Sequence, residues 1–202
     1  MIEVDAVQRK VVRTLVGAQI LGGIGLGATV SVGALLAAQV SGSAAWSGMA
    51  ATMSTLGAAL LAVPLARAAQ ARGRRVALAS GSVIAALGAL LAVGAAALGY
   101  FPLLLVALAL AGASSATNLQ ARFAATDLAN PAHRARQLSL VVWSTTIGAV
   151  LGPNLIGPGE MIGGAIGLPT LTGPFVFTVS AQLVAMAVYF VGLRPDPLLT
   201  AM

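Results

Sequence analysis

The chain has 202 residues, 58% of them hydrophobic and only 8% charged, with a formal net charge of +6. A soluble domain carries about a quarter of its residues as charges, so this composition excludes a surface facing water on all sides. There is no cysteine, and the single histidine is His133, which excludes disulfides, thiolate chemistry and a His-rich metal site.

The few charges are segregated. Residues 14–66 and 76–121 carry none, and 137–193 carry only Glu160. One helical crossing of the hydrocarbon core needs about 20 apolar residues, so each block holds two crossings and a turn. The alternation of a membrane barrel is missing from stretches such as 83–98, which are continuously apolar.

The first span is predicted over 12–38, with a turn at 40–43. Its apolar run exceeds the 7–15 residues of a signal-peptide core, so it reads as a retained helix. The second span covers 45–66 and is followed by the basic segment 67–75. The third covers 76–98 and ends at Gly99-Tyr100-Phe101-Pro102. The fourth covers 103–128 and stops before Asn130-Pro131, because proline disfavours helix in the residue before it. The fifth covers 137–156 and leads into a Gly- and Pro-rich loop, 157–173, in which Glu160 reads as solvated. The sixth covers 174–193 and closes at Arg194-Pro195. The expectation is an all-α membrane protein, a single six-helix bundle over 1–202.

With six crossings, all 11 Lys and Arg fall on one side: Arg9, Lys10 and Arg13; Arg67, Arg72, Arg74 and Arg75; Arg122, Arg134 and Arg136; and Arg194. The positive-inside rule then puts both termini in the cytoplasm and the protein in the cytoplasmic membrane. Each basic cluster is short and sits beside an apolar span, which argues against nucleic acid as a partner and for membrane lipid.

Polar residues inside the spans are the candidates for lining a substrate cavity. In the fourth, Ser114, Asn118 and Arg122 are four apart and share a face. Arg122 is about 30 Å along the helix from Pro102 at 1.5 Å per residue, deep enough to reach the rim and snorkel. Gln19 and Thr29 are the candidates in the first span. A nucleophile–base pair, a phosphate loop and a metal cluster are all missing, so neither an enzyme nor a cofactor is expected. No Asp or Glu lies deep in any span, although ion-coupled transporters commonly place an ionisable group there.

Three segments carry a resemblance. Ala66-Arg67-Ala68-Ala69-Gln70-Ala71-Arg72-Gly73-Arg74-Arg75 matches the Gly-Arg-Arg end of the loop signature between helices two and three of the major facilitator superfamily, with Ala66 and Gln70 replacing its glycine and aspartate. Asp127 to Arg136, an acid, a proline, then a basic, a small and another basic residue, is similar to that family's link between helices four and five. Gly148-Ala149-Val150-Leu151-Gly152-Pro153 resembles the Gly-x-x-x-Gly-Pro signature of its exporters and antiporters. The arginine found early in the fourth helix of drug-exporting members has no counterpart at 106–111.

The resemblance implies the amino-terminal half of a major facilitator transporter: six helices as two inverted three-helix repeats, with helices one and four on the cavity, two and five facing a second bundle, and three and six outside. It implies secondary transport of a small-molecule substrate, with export favoured by the helix-five signature. It assigns gating or conformational roles to Arg74, Arg75, Asp127, Gly148, Gly152 and Pro153, with Arg74 or Arg75 pairing with Asp127. It further implies a partner, either a carboxy-terminal six-helix half or a second copy, with Arg194-Pro195-Asp196-Pro197 starting the linker between halves. A non-transporting scaffold or partner subunit is the competing expectation.

Overall fold

The computed structural model describes the backbone of residues 2–201 and the side chains of residues 6–201. It is helical throughout, with no strand among the described residues. Helix α1 runs Ile2–Ser41, α2 Met49–Arg72, α3 Arg74–Leu98, α4 Phe101–Ala111, α5 Ala113–Ala124, α6 Arg134–Asn154, α7 Ile156–Ala165, α8 Gly173–Gly192 and α9 Pro197–Ala201. Five helical stretches are long and apolar enough to cross a membrane, and six if α6 and α7, bent by 54°, form one span. The protein is a multi-pass membrane protein.

Two stretches differ from the sequence expectation. The fourth span is α4 and α5 joined at Gly112, and its helix stops at Ala124 rather than 128. The Gly- and Pro-rich stretch after the fifth span is not all loop: 156–165 is α7. Helix α6 stops one residue after Pro153, whose missing N–H cannot bind the carbonyl of residue 149. The chain then resumes as helix at an angle.

Glu160 is also corrected. It is half-buried on α7, where its two carboxylate oxygens accept from the backbone N–H groups of Leu171 (2.9 Å) and Gly173 (3.0 Å). Those donors lie in the turn into α8, so Glu160 fastens that turn.

The helices pair in a symmetric pattern. Helix α1 packs on α6 and α8, α4 and α5 pack on α2 and α3, and α3 packs on α8. Exchanging spans one and four, two and five, and three and six reproduces this list. Spans one and four run in opposite directions because two crossings lie between them and the direction alternates at each, so the two halves are inverted repeats.

Both long crossings are made where side chains are missing. A Cβ on Gly27 would lie 2.6 Å from the Ala149 carbonyl oxygen, and one on Gly152 2.7 Å from the Gly27 Cα. In the other repeat, a Cβ on Gly57 of α2 would lie 2.7 Å from the Ala109 Cα, and one on Gly112 2.8 Å from the Ala58 nitrogen. Lipid offers no hydrophobic drive between helices, so close backbone approach and dispersion hold these pairs. The core is correspondingly small-grained, with Ala85, Ala89, Ala92 and Ala107 buried beside Leu36, Leu104 and Phe175.

Burial is uneven. In α2 only 17% of the apolar window is buried, against 56% in α1, α3 and the α4–α5 span. Leu56, Leu60 and Val63 of α2 and Trp143, Ile147 and Val150 of α6 are exposed. These two helices therefore carry broad apolar surface that no other element covers among the described residues.

Candidate transport site and the clamp at the basic end

Near the bundle centre the candidate residues separate into two kinds. Gln19 is completely buried and has partners on two other helices. Its Nε2 donates to Thr145 Oγ1 of α6 at 3.2 Å, and its Oε1 accepts from Tyr189 Oη of α8 at 3.1 Å. Gln19 thus bonds two neighbouring helices and is shielded within the bundle. Tyr189, fully buried in α8, is the partner that sequence reading missed.

Asn118 differs. It is 5% exposed, and among the described residues its amide has no hydrogen-bond partner. Its Oδ1 faces α1, where a Cβ on Gly22 would approach it to 3.3 Å. The absence of a side chain at Gly22 leaves this amide room. Ser114, one turn away, is buried and returns its hydroxyl to the Ala111 carbonyl at 2.9 Å. Arg122, one turn the other way, is exposed at the end of α5. Thr29 is buried, donates to the Gly25 carbonyl at 2.8 Å, and lines a cavity of about 230 Å³ with Ala50, Ser54 and Leu108. The hydroxyls of Ser114 and Thr29 are thus satisfied within their own helices, whereas the Asn118 amide, like Gln182 Nε2 on α8, keeps unused hydrogen-bonding capacity among the described residues.

At the basic end, Arg74 is the hub of a clamp. Its Nε and Nη2 donate to the two oxygens of Asp127 at 2.9 and 3.2 Å, and its Nη1 donates to Gln120 Oε1 at 2.9 Å. Both members of the ion pair are largely buried, with side chains 13% and 11% exposed. A planar guanidinium holds a carboxylate through two parallel bonds in this way. Arg75, the other candidate, does not pair with Asp127; its guanidinium lies over the Phe190 ring at 4.8 Å.

Gln70 does not supply the missing acidic companion, but Asp196 does. Its carboxylate accepts from the backbone nitrogens of Arg74 (3.1 Å) and Arg75 (2.7 Å), capping the first turn of α3. The acid also lies on the favourable end of the helix dipole. Gly73 makes room for it: its φ is +89°, and a Cβ there would lie 2.5 Å from the Asp196 carboxyl carbon. The clamp extends to α1, where Lys10 Nζ donates to the Arg194 carbonyl at 2.8 Å. Of its parts, the sequence offered Arg74, Asp127 and Gly73. Asp196 reads as part of the start of a linker, and nothing in the sequence singles out Gln120.

Gly148 and Gly152 lie on the α1 side of α6, while Pro153 is exposed. A Cβ on Gly148 would come 2.8 Å from the Gly23 Cα. The Ala149 carbonyl oxygen, which Pro153 leaves without a helical donor, sits against Gly27. The exporter-like signature is therefore the surface on which α6 rides against α1.

The chain is 43% identical over 190 residues to the uncharacterised MFS-type transporter YddS of Bacillus subtilis (strain 168), a match covering 94% of this chain. It is 45% identical over 183 residues to the uncharacterised MFS-type transporter YdeG of the same organism, covering 91% of this chain. The chain spans about half the length of these relatives, 44% and 43% respectively. No protein-family model and no solved structure matches it. High identity over nearly the whole chain, together with five apolar helical stretches, or six counting the bent α6–α7 pair as one, in two inverted repeats, shows that the chain belongs to the MFS-type, or major facilitator, transporters.

Proposed function

We propose that the chain forms the amino-terminal six-helix half of a secondary transporter that exports a small solute across the cytoplasmic membrane, with both termini in the cytoplasm. The observation that carries this reading is Asn118. A buried amide without a partner is costly in hydrocarbon, and it is retained where it lines a path or touches a solute. Ser114 and Arg122 extend the same face of the fourth span toward its two ends. The solute-binding cavity then lies between this face and a second bundle, as in transporters built from paired repeats.

The second bundle, a carboxy-terminal six-helix half or a second copy, covers the apolar surfaces of α2 and α6. The Arg74–Asp127–Asp196 clamp holds the cytoplasmic end in one state, and the glycine-lined α1–α6 contact lets the helices shift between states. Export rests on the Gly148-x-x-x-Gly152-Pro153 signature.

Inside-out membrane vesicles containing the assembled transporter test this. They are screened with labelled organic cations, organic anions and sugars under imposed ion gradients. Gradient-driven uptake of one class, lost on Asn118→Leu, supports the reading. Uptake no greater than in empty vesicles across all classes favours a scaffold instead.

A further inference from the structure

The basic end holds a second feature that the clamp does not use. Between the start of α1 and the start of α6 lies an open cavity of about 570 Å³, lined by Gln8, Arg9, Arg13, His133, Arg136 and Gln137 among others. That volume falls within the ~300–1,000 Å³ of small-ligand sites. Three guanidiniums share one concavity, and among the described residues no carboxylate lines it.

Topology alone asks only that arginines stand on this side, not that they converge. The basic residues nearer the clamp are occupied: Arg74 by Asp127 and Gln120, Arg75 and Arg194 by the Phe190 ring, and Lys10 by a carbonyl. Arg9, Arg13 and Arg136 have no hydrogen bond or ion pair among the described residues, and all three are exposed. The wall behind them is fixed. Gln8 is 2% exposed, and its Nε2 donates to the Ala125 carbonyl at 2.8 Å and to Gln137 Oε1 at 2.5 Å. This ties α1 to α6 and to the turn after α5. A rigid concavity with three like charges is repulsive when empty, and a polyanion relieves the repulsion.

We propose that this cavity is a binding site for an anionic phosphate group, borne either by a lipid headgroup or by a soluble ligand. Guanidiniums suit it because their N–H forks match phosphate oxygens in pairs. The inference is independent of transport, because it concerns binding at one end of a single chain.

Phenylglyoxal labelling, read arginine by arginine by peptide mass spectrometry, tests it on the 202-residue chain in uncharged maltoside micelles. One arm adds inorganic pyrophosphate. The other adds phosphatidylglycerol, with phosphatidylcholine as its control. Chloride is matched for ionic strength. The expected result is that Arg13 and Arg136 label about tenfold more slowly in at least one arm, while Arg67 and Arg72 are unaffected. Protection by phosphatidylglycerol alone identifies a headgroup site, and protection by pyrophosphate alone a soluble-ligand site. Labelling of Arg13 and Arg136 that is unchanged in both arms, or slowed equally at every arginine, overturns the proposal. In native mass spectrometry the Arg13→Gln/Arg136→Gln double variant loses the bound species while Arg67→Gln keeps it. Equal retention by both overturns the proposal even if the labelling had supported it.

Discussion

Gly152 of α6 and Gly27 of α1 meet through their backbones, so that a Cβ on Gly152 would lie 2.7 Å from the Gly27 Cα and 2.6 Å from the Ala28 nitrogen. Neither obstacle is a flexible side-chain tip, so a larger residue must push the helices apart. Gly152→Val is expected to destabilise the chain by about 1–3 kcal/mol, the usual cost of overpacking. Gly17→Ala, with nothing within 4 Å of the new Cβ, is expected to be neutral or stabilising by about 0.5–1 kcal/mol, since alanine favours helix over glycine. Thermal unfolding in detergent separates the two variants. Equal melting temperatures would show that the α1–α6 contact is looser than described.

The clamp predicts coupling. Arg74→Gln and Asp127→Asn each remove one side of a largely buried, two-bond ion pair. A double-mutant cycle on unfolding is expected to give an interaction energy of about 1–3 kcal/mol, the range for hydrogen bonds to charged groups. The same cycle between Arg75 and Asp127 should give a value near zero, because Arg75 lies on Phe190 instead. Comparable coupling for both arginines would refute the assignment of the hub.

Gln19 and Asn118 predict opposite outcomes for the same substitution. Gln19→Leu strands the buried Tyr189 hydroxyl and removes the donor to Thr145, whose own hydroxyl keeps its bond to the Val141 carbonyl, and is expected to cost about 1–3 kcal/mol. Asn118→Leu breaks no hydrogen bond among the described residues. It should leave the melting temperature unchanged while lowering solute flux. A large loss of stability in Asn118→Leu with normal flux would make that residue structural.

The architecture was legible in the sequence because it follows from one count. Uncharged blocks are long enough for paired crossings, and the arginines fall on one side only when there are six. The partners were legible only where a family pattern supplied them, as for Arg74 and Asp127. Gln19 and Tyr189 are separated by 170 positions, and no periodicity connects them. Helix α7 was hidden because glycine and proline read as loop, although 156–165 is also apolar enough to continue a span. Glu160 looked solvated because its partners are backbone N–H groups in a turn, which carry no side-chain signal. Asp196 was hidden for the same reason.

The chain has no native cysteine, so orientation can be read from single introduced thiols. Ala71, in the last turn of α2, and Ser43, in the connection between α1 and α2, are both exposed at opposite ends of the second span, whereas position 73 is buried beneath Asp196 and unsuitable. In intact cells, a membrane-impermeant maleimide should label Ser43→Cys and spare Ala71→Cys. The reverse pattern would invert the topology and the direction of transport with it.

Trp143 provides the most direct test that a second bundle completes this one. It stands 69% exposed on α6, on the surface assigned to that bundle. With Trp46→Phe it becomes the single tryptophan, since the chain has two. Its emission is measured in transport-active membranes containing brominated lipids. The control is a tryptophan at Val191, exposed on α8, in a chain with both native tryptophans replaced by phenylalanine. If the second bundle covers α6, bromine quenches the Val191→Trp control strongly and Trp143 weakly. Equal, strong quenching of both in active membranes would show that α6 faces lipid and that the chain is not half of a paired-bundle transporter.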